Sequence, residues 1–119
     1  MAIAARDEVL EGATYKVVVE DRRIYVTVNE QNGEAFEIFV RCDIAELYEW
    51  ITLVTLLVTR LLRTGAALAV VAKEMQQVHS SASSLHVLKD GSMCRSIVAR
   101  LGDVLAAHAE NSKGSVSYE

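Results

Sequence analysis

Residues 43–65, DIAELYEWITLVTLLVTRLLRTG, decide the fold, because they form the longest periodic segment of the chain and carry both a start and a stop signal for a helix. Asp43 has a side chain able to accept from the first free backbone N–H groups. Glu46, three residues on, can reach back, which makes a capping box with Asp in place of Ser or Thr. Arg60 and Arg63 fall in the last turns, at the negative end of the helix dipole, and Gly65 can take the left-handed conformation that ends a helix. The segment is apolar almost all the way round. Ile44, Leu47, Ile51, Val54, Val58, Leu61 and Leu62 make one stripe, and Trp50, Leu53, Leu56 and Leu57 make a second, so this helix needs two coverings. A membrane span does not fit, because the run from Trp50 to Leu62 falls short of the ~20 apolar residues a bilayer requires and contains Arg60.

Toward the N-terminus the period changes to two. Tyr15, Val17 and Val19 alternate with Lys16, Val18 and Glu20, then Asp21 to Arg23 turn the chain. Ile24, Val26 and Val28 alternate with Tyr25, Thr27 and Asn29 in a second strand rich in β-branched residues. Asn32-Gly33 is the dipeptide best able to take the positive φ angles of a tight hairpin. It leads into a third strand, in which Phe36, Ile38 and Val40 alternate with Ala35, Glu37, Phe39 and Arg41. The front half therefore reads as a three-stranded antiparallel meander with one face packed on the long helix. Ahead of it, Ala2 to Leu10 reads as a turn or two of helix ended by Gly12.

Toward the C-terminus, Leu68, Val71, Ala72, Met75 and Val78 recur at helical spacing in Ala66 to Val78. His79 to Ser84 breaks the periodicity, and Leu85 to Leu88 is a short apolar island before Lys89-Asp-Gly-Ser92. A last helix, from about Met93 to His108 with Ser92 as N-cap, places Ile97, Leu101, Val104, Leu105 and His108 on one face. Asn111 to Glu119 shows no pattern and is expected to be a mobile tail. The predicted fold class is α+β: a three-stranded antiparallel β-meander packed on a long central helix and followed by two further helices. The expected organisation is an N-terminal segment 1–13, one domain over 14–110 and a tail 111–119. What the meander and the later helices leave uncovered on the central helix is expected to meet another copy of the chain, through Trp50, Leu53 and Leu57.

Composition narrows the function. Twelve Lys and Arg against sixteen Asp and Glu give a net charge of -4, so duplex nucleic acid, which calls for a basic excess, is not an expected partner. Hydrophobic residues make up 51% of the chain, high for this length, and without a membrane span that excess points to a homo-oligomer interface. Two cysteines, Cys42 and Cys94, are too few for a disulfide framework. Arg6, Asp7, Glu8 and Glu11 interrupt any apolar leader, so a reducing cytoplasm is the expected compartment.

The order of residues carries a resemblance. Tyr15-Lys-Val, Ile24-Tyr-Val-Thr-Val-Asn-Glu and Asn32-Gly-Glu-Ala-Phe-Glu-Ile-Phe-Val-Arg41, followed by a long helix ending Leu61-Leu-Arg-Thr-Gly65, resemble the TSCPD domain. That domain occurs at the C-terminus of adenosylcobalamin-dependent ribonucleotide reductases and in small free-standing proteins, many from phages. Ser96-Ile-Val-Ala-Arg-Leu-Gly-Asp-Val-Leu105 with His108 further resembles the last helix of the free-standing members. The sequence lacks a Thr-Ser-Cys-Pro-Asp run, contains no proline, and leaves Cys94 without a cysteine neighbour. A metal or dithiol role is therefore not carried over; the fold and a link to nucleotides are what the resemblance implies.

Candidate chemistry concentrates in two places. Lys89, Ser92 and Arg95 surround a glycine at the start of the last helix, an arrangement suited to phosphate, though the same residues also make an ordinary turn before a helix. Arg41 lies where the third strand hands over to the central helix, and a guanidinium there suits bidentate phosphate recognition. Arg22 and Arg23 stand at a hairpin tip, and no single element presents the arginines together. His79 and His86 flank the serine loop, which begins at Ser80, and Arg100 follows on the last helix. Arg41, His79, Ser80, His86, Lys89, Ser92, Arg95 and Arg100 are the expected ligand contacts. The histidines match no metal-ligand spacing, no base is placed beside Cys94, and Glu34, Glu37, Asp43 and Glu46 are accounted for by hairpin, strand face and cap. No catalytic residue, metal or cofactor is expected. Three readings follow: a non-catalytic homo-oligomeric binder of an anionic, nucleotide-like small molecule, suited to sequestering a signal in phage counter-defence; an accessory module of ribonucleotide reduction; and a structural adaptor with no small ligand.

Overall fold

The computed structural model describes residues 2–79, 86–87, 93–94 and 96–117. The chain forms two compact units, Met1–Ala66 and Ala67–Glu119.

The first unit is built on a three-stranded antiparallel sheet in the order β1 (Glu11–Val19), β2 (Arg22–Gln31), β3 (Glu34–Cys42). The β1–β2 turn is Glu20-Asp21, both at positive φ, so Arg22 and Arg23 belong to β2 rather than to the turn expected of them. Asn32 and Gly33, at φ 56° and 80°, make the second turn as the sequence predicts. A β-bulge then shifts the register by one residue: Glu30 pairs with Ala35 but Asn29 pairs with Glu37, leaving Phe36 as the extra residue. Because side chains alternate along a strand, that single residue decides which face each side chain takes. Beyond the bulge Val28 pairs with Ile38, Val26 with Val40 and Ile24 with Cys42, so the apolar sets of both strands share the buried face. Glu37, Phe39 and Arg41 take the opposite face.

After β3 a short 3₁₀ turn, Ala45–Leu47, leads into α1 (Tyr48–Arg63). The capping box expected at Asp43 and Glu46 is absent: neither the 3₁₀ turn nor α1 has a side-chain cap, and Glu46 faces Arg22 at 3.7 Å instead. Gly65 ends the helix at φ 102°, as predicted. α1 packs along β3 and buries Ile51, Val58 and Leu62. Thr59 seals the strand's open edge, its hydroxyl accepting from Ile38 N–H at 3.1 Å and donating to Ile38 C=O at 3.2 Å. An edge strand otherwise offers unpaired backbone groups to other chains. Thr59→Val keeps the shape and strands both Ile38 groups, so it is expected to cost about 1–2 kcal/mol, read as a lower urea midpoint at unchanged slope.

The N-terminal segment is not helical, against the reading of Ala2 to Leu10. It runs as an irregular strap fixed by long-range bonds: Ala4 N–H donates to Arg63 C=O at 3.1 Å, Asp7 N–H to Gln31 Oε1 at 2.8 Å, and Gln31 Nε2 to Ala5 C=O at 2.9 Å. These partners lie 24 or more positions away, where local periodicity carries no information about them.

The second unit pairs α2 (Leu68–Met75) with α3 (Ile97–Ser117), with a two-residue ladder between β4 (His86–Val87) and β5 (Met93–Cys94). Leu68, Val71, Ala72 and Met75 of α2 and Leu101, Val104, Leu105 and His108 of α3 are buried, as the spacing predicts, whereas Val78 is exposed. α3 begins later than expected because Met93 and Cys94 are in the ladder. Its N-cap is Ser96, not Ser92: Ser96 Oγ accepts from Ala99 N–H at 2.9 Å and donates to Val78 C=O at 2.7 Å. The helix also continues to Ser117 through residues read as a patternless tail, since extending a formed helix costs far less than starting one.

Candidate functional site

Two polar features lie on the face of the sheet turned away from its apolar core, and β3 contributes to both. The first is a buried carboxylate. Glu37 is fully buried, and each of its oxygens is used. Oε1 accepts from Arg6 Nε at 2.9 Å and Arg63 Nη2 at 2.8 Å; Oε2 accepts from Arg6 Nη2 at 3.2 Å and Asn29 Nδ2 at 2.8 Å. Burial by itself would raise the carboxyl pKa, but the donors from Arg6, Asn29 and Arg63 outweigh it and hold it at about 2. Arg63 also lies over the Phe36 ring, at 5.1 Å. Strap, bulge and the end of α1 are thus tied to one side chain, for which alternation along β3 predicts a place on a strand face but none of these partners.

The second feature is an open groove. The register sets Lys16, Tyr25 and Arg41 in one cross-strand row and Thr14, Thr27 and Phe39 in the next. Arg41 Cζ sits 5.6 Å from the Tyr25 ring centroid, within cation–π range. A hollow of about 440 Å³ is lined by Asp21, Arg22, Arg23, Tyr25, Arg41, Asp43 and Ile44. A neighbouring one of about 350 Å³ is lined by Thr14, Tyr25, Thr27, Phe39, Val40 and Arg41. Tyr25 and Arg41 line both. One end of the groove is polar, lined by Arg22, Arg23 and Arg41 together with Asp21 and Asp43. The other end offers the Phe39 ring, 55% exposed, beside the paired Thr14 and Thr27 hydroxyls, 2.8 Å apart.

Of the expected ligand contacts, Arg41 is placed in this groove. The arginines read as scattered are gathered in part, because the hairpin register returns Arg41 to the strand end that carries Arg22 and Arg23. The sequence signal that could have found them is the count outward from Asn32-Gly33, corrected for the bulge that the apolar alternation requires. His79 and Arg100 belong to the second unit: His79 is exposed after α2, and Arg100 lies on α3 with a buried Nε that has no hydrogen-bond partner among the described residues. The backbone of His86 forms β4. Ser80, Lys89, Ser92 and Arg95 lie outside the described residues. Among the described residues no group of three His, Cys, Asp or Glu side chains is arranged to hold a metal ion, and no helix is long and apolar enough to cross a membrane.

A model of the TSCPD domain covers residues 2–109, and the chain belongs to that family. No curated protein and no solved structure matches it.

Proposed function

We propose that this protein is a non-catalytic, homo-oligomeric binder of an anionic, nucleotide-like small molecule in the cytoplasm, holding the molecule rather than transforming it, as a phage protein would to sequester a defence signal. The observation that carries this reading is Arg41 over the Tyr25 ring, between a hollow with two further arginines and a hollow with an exposed Phe39. A planar base suits the Phe39 and Tyr25 end, where stacking is worth ~1–3 kcal/mol per base. A phosphate or pyrophosphate suits the forked donors of Arg22, Arg23 and Arg41.

Thermal shift against cyclic dinucleotides, cyclic trinucleotides and cyclic ADP-ribose isomers tests it. A ligand present at 100 times its Kd should stabilise the fold by about 2.7 kcal/mol. Arg41→Ala is expected to weaken binding at least tenfold while leaving the unliganded melting temperature within a degree or two, since Arg41 is exposed. The ligand should be recovered unchanged after incubation. Flat shifts across the panel, with no nucleotide released on denaturing the purified protein, would refute the binding reading. Membership of the TSCPD family supports a second reading, an accessory module of ribonucleotide reduction, which co-purification with a reductase would favour.

A further inference from the structure

The outer side of α1 carries Trp50, Leu53, Leu57 and Leu61 at spacings of three, four and four, with Leu56 beside them, and all five side chains are between 44% and 65% exposed. This is the spacing of a helix–helix seam rather than of scattered surface residues. The charges of α1 lie only at its ends: Glu49 in the first turn, Arg60 and Arg63 in the last. Arg63 is committed to Glu37. Glu49 and Arg60 flank the stripe, are exposed, and have no ion-pair partner among the described residues.

We infer that α1 pairs with α1 of a second copy, antiparallel, about a two-fold axis near Thr55. Such an axis sets Trp50 opposite Leu61 and Leu53 opposite Leu57, so the stripe is complementary to itself, as an isologous interface requires. It also brings Glu49 of each copy, 11 residues or about 16 Å along the axis from Arg60, to Arg60 of the other. A parallel pairing would set Glu49 level with Glu49 and Arg60 level with Arg60, so that no opposite charges meet across the seam, which is why the antiparallel arrangement is favoured. The pairing gives a specific form to the homo-oligomer proposed above and does not depend on the ligand, so a flat ligand screen leaves it standing.

Light scattering and sedimentation at low micromolar concentration decide it. The wild-type protein should run at an even multiple of the 13.1 kDa chain, and Leu57→Glu should halve that mass with an unchanged circular dichroism spectrum. Glu49→Arg and Arg60→Glu should each raise the dissociation constant about tenfold at low salt, and the two together should restore it to within about threefold. A wild-type monomer, or an oligomer indifferent to Leu57→Glu, overturns the interface. Charge reversals without effect, or a double variant no better than the single ones, overturn the antiparallel arrangement.

Discussion

Glu37→Ala is expected to be among the most damaging single substitutions in the first unit, lowering stability by about 3–5 kcal/mol, the usual cost of removing one partner from a buried ion pair. Two guanidinium groups would then face an emptied site, and Asn29 would lose its acceptor. Against a typical domain stability of ~5–15 kcal/mol, this is a large fraction. Arg6→Ala should cost less, because its side chain is 37% exposed and Asn29 and Arg63 keep the carboxylate satisfied. Its signature should be faster amide exchange in the strap, at Ala4 and Asp7, with α1 and the sheet little changed. Equal losses for the two variants would show that the strap, and not the carboxylate, carries the stability.

The same side chain sets an acid limb. Its pKa in the folded protein is about 2, below the ordinary 4.5, so the folded state favours the charged form. The stability this supplies is complete above the unfolded value and disappears as pH falls through the folded one. A difference of this size corresponds to roughly 3 kcal/mol, lost between about pH 5 and pH 2. Urea midpoints measured at pH 7, 4 and 3 should fall steeply for the wild type. Glu37→Gln, which lacks the titrating group, should start lower and fall less. Parallel pH profiles for the two proteins would exclude Glu37 as the source.

In the second unit the largest effect is expected at Gly102. A Cβ added there would lie 2.9 Å from the carbonyl oxygen of Ala72, from the backbone nitrogen of Gln76 and from Met75 Cβ. Two of these atoms are backbone of α2 and its C-terminal end, so they cannot rotate aside. Helix propensity favours Gly102→Ala by about 1 kcal/mol, but overpacking a tight contact costs ~1–3 kcal/mol, and the clash wins because α3 must move bodily. A net loss of about 1–2 kcal/mol is expected for Gly102→Ala. Gly102→Val should lose at least 3 kcal/mol, since its branched side chain adds volume and gives up most of the propensity gain. Melting temperatures of the two variants check this; a stabilising Gly102→Ala would show that α2 and α3 are less closely packed than the structure has them.

Local chemistry made much of the architecture legible. Alternation located the three strands, Asn32-Gly33 located a hairpin, and helical spacing named buried residues in α2 and α3 and, in α1, Ile51, Val58 and Leu62, whereas Leu61 of the same α1 stripe is exposed. The errors share one cause. Ala2 to Leu10 can form a helix by itself, but its groups find Arg63, Gln31 and Glu37 far along the chain. Glu46 can complete a capping box, but in the fold it faces Arg22 at 3.7 Å. Ser92 is an acceptable N-cap, and so is Ser96, which is preferred where its hydroxyl also reaches Val78. In each case two local solutions are close in energy, and a long-range contact worth about 1 kcal/mol selects between them.

The candidate site follows the same division. That Arg41 carries a forked donor suited to phosphate, and that α1 carries more apolar residues than one covering can bury, are read from the sequence alone. That Arg41 lies over Tyr25 beside Arg22 and Arg23, and that Glu37 meets Arg6, Asn29 and Arg63 away from the apolar core, depends on the one-residue bulge at Phe36. The tight turn at Asn32-Gly33, extended without a bulge, would set Glu37, Phe39 and Arg41 on the face of Val28, Val26 and Ile24. Placing a carboxylate and a guanidinium in that core costs far more than one disrupted pair of ladder bonds, so the strand kinks instead. The sequence alone determined the elements and the kinds of side chain they carry; only the tertiary structure decided which face each one occupies, because that choice is made by burial across strands and not by any neighbour along the chain.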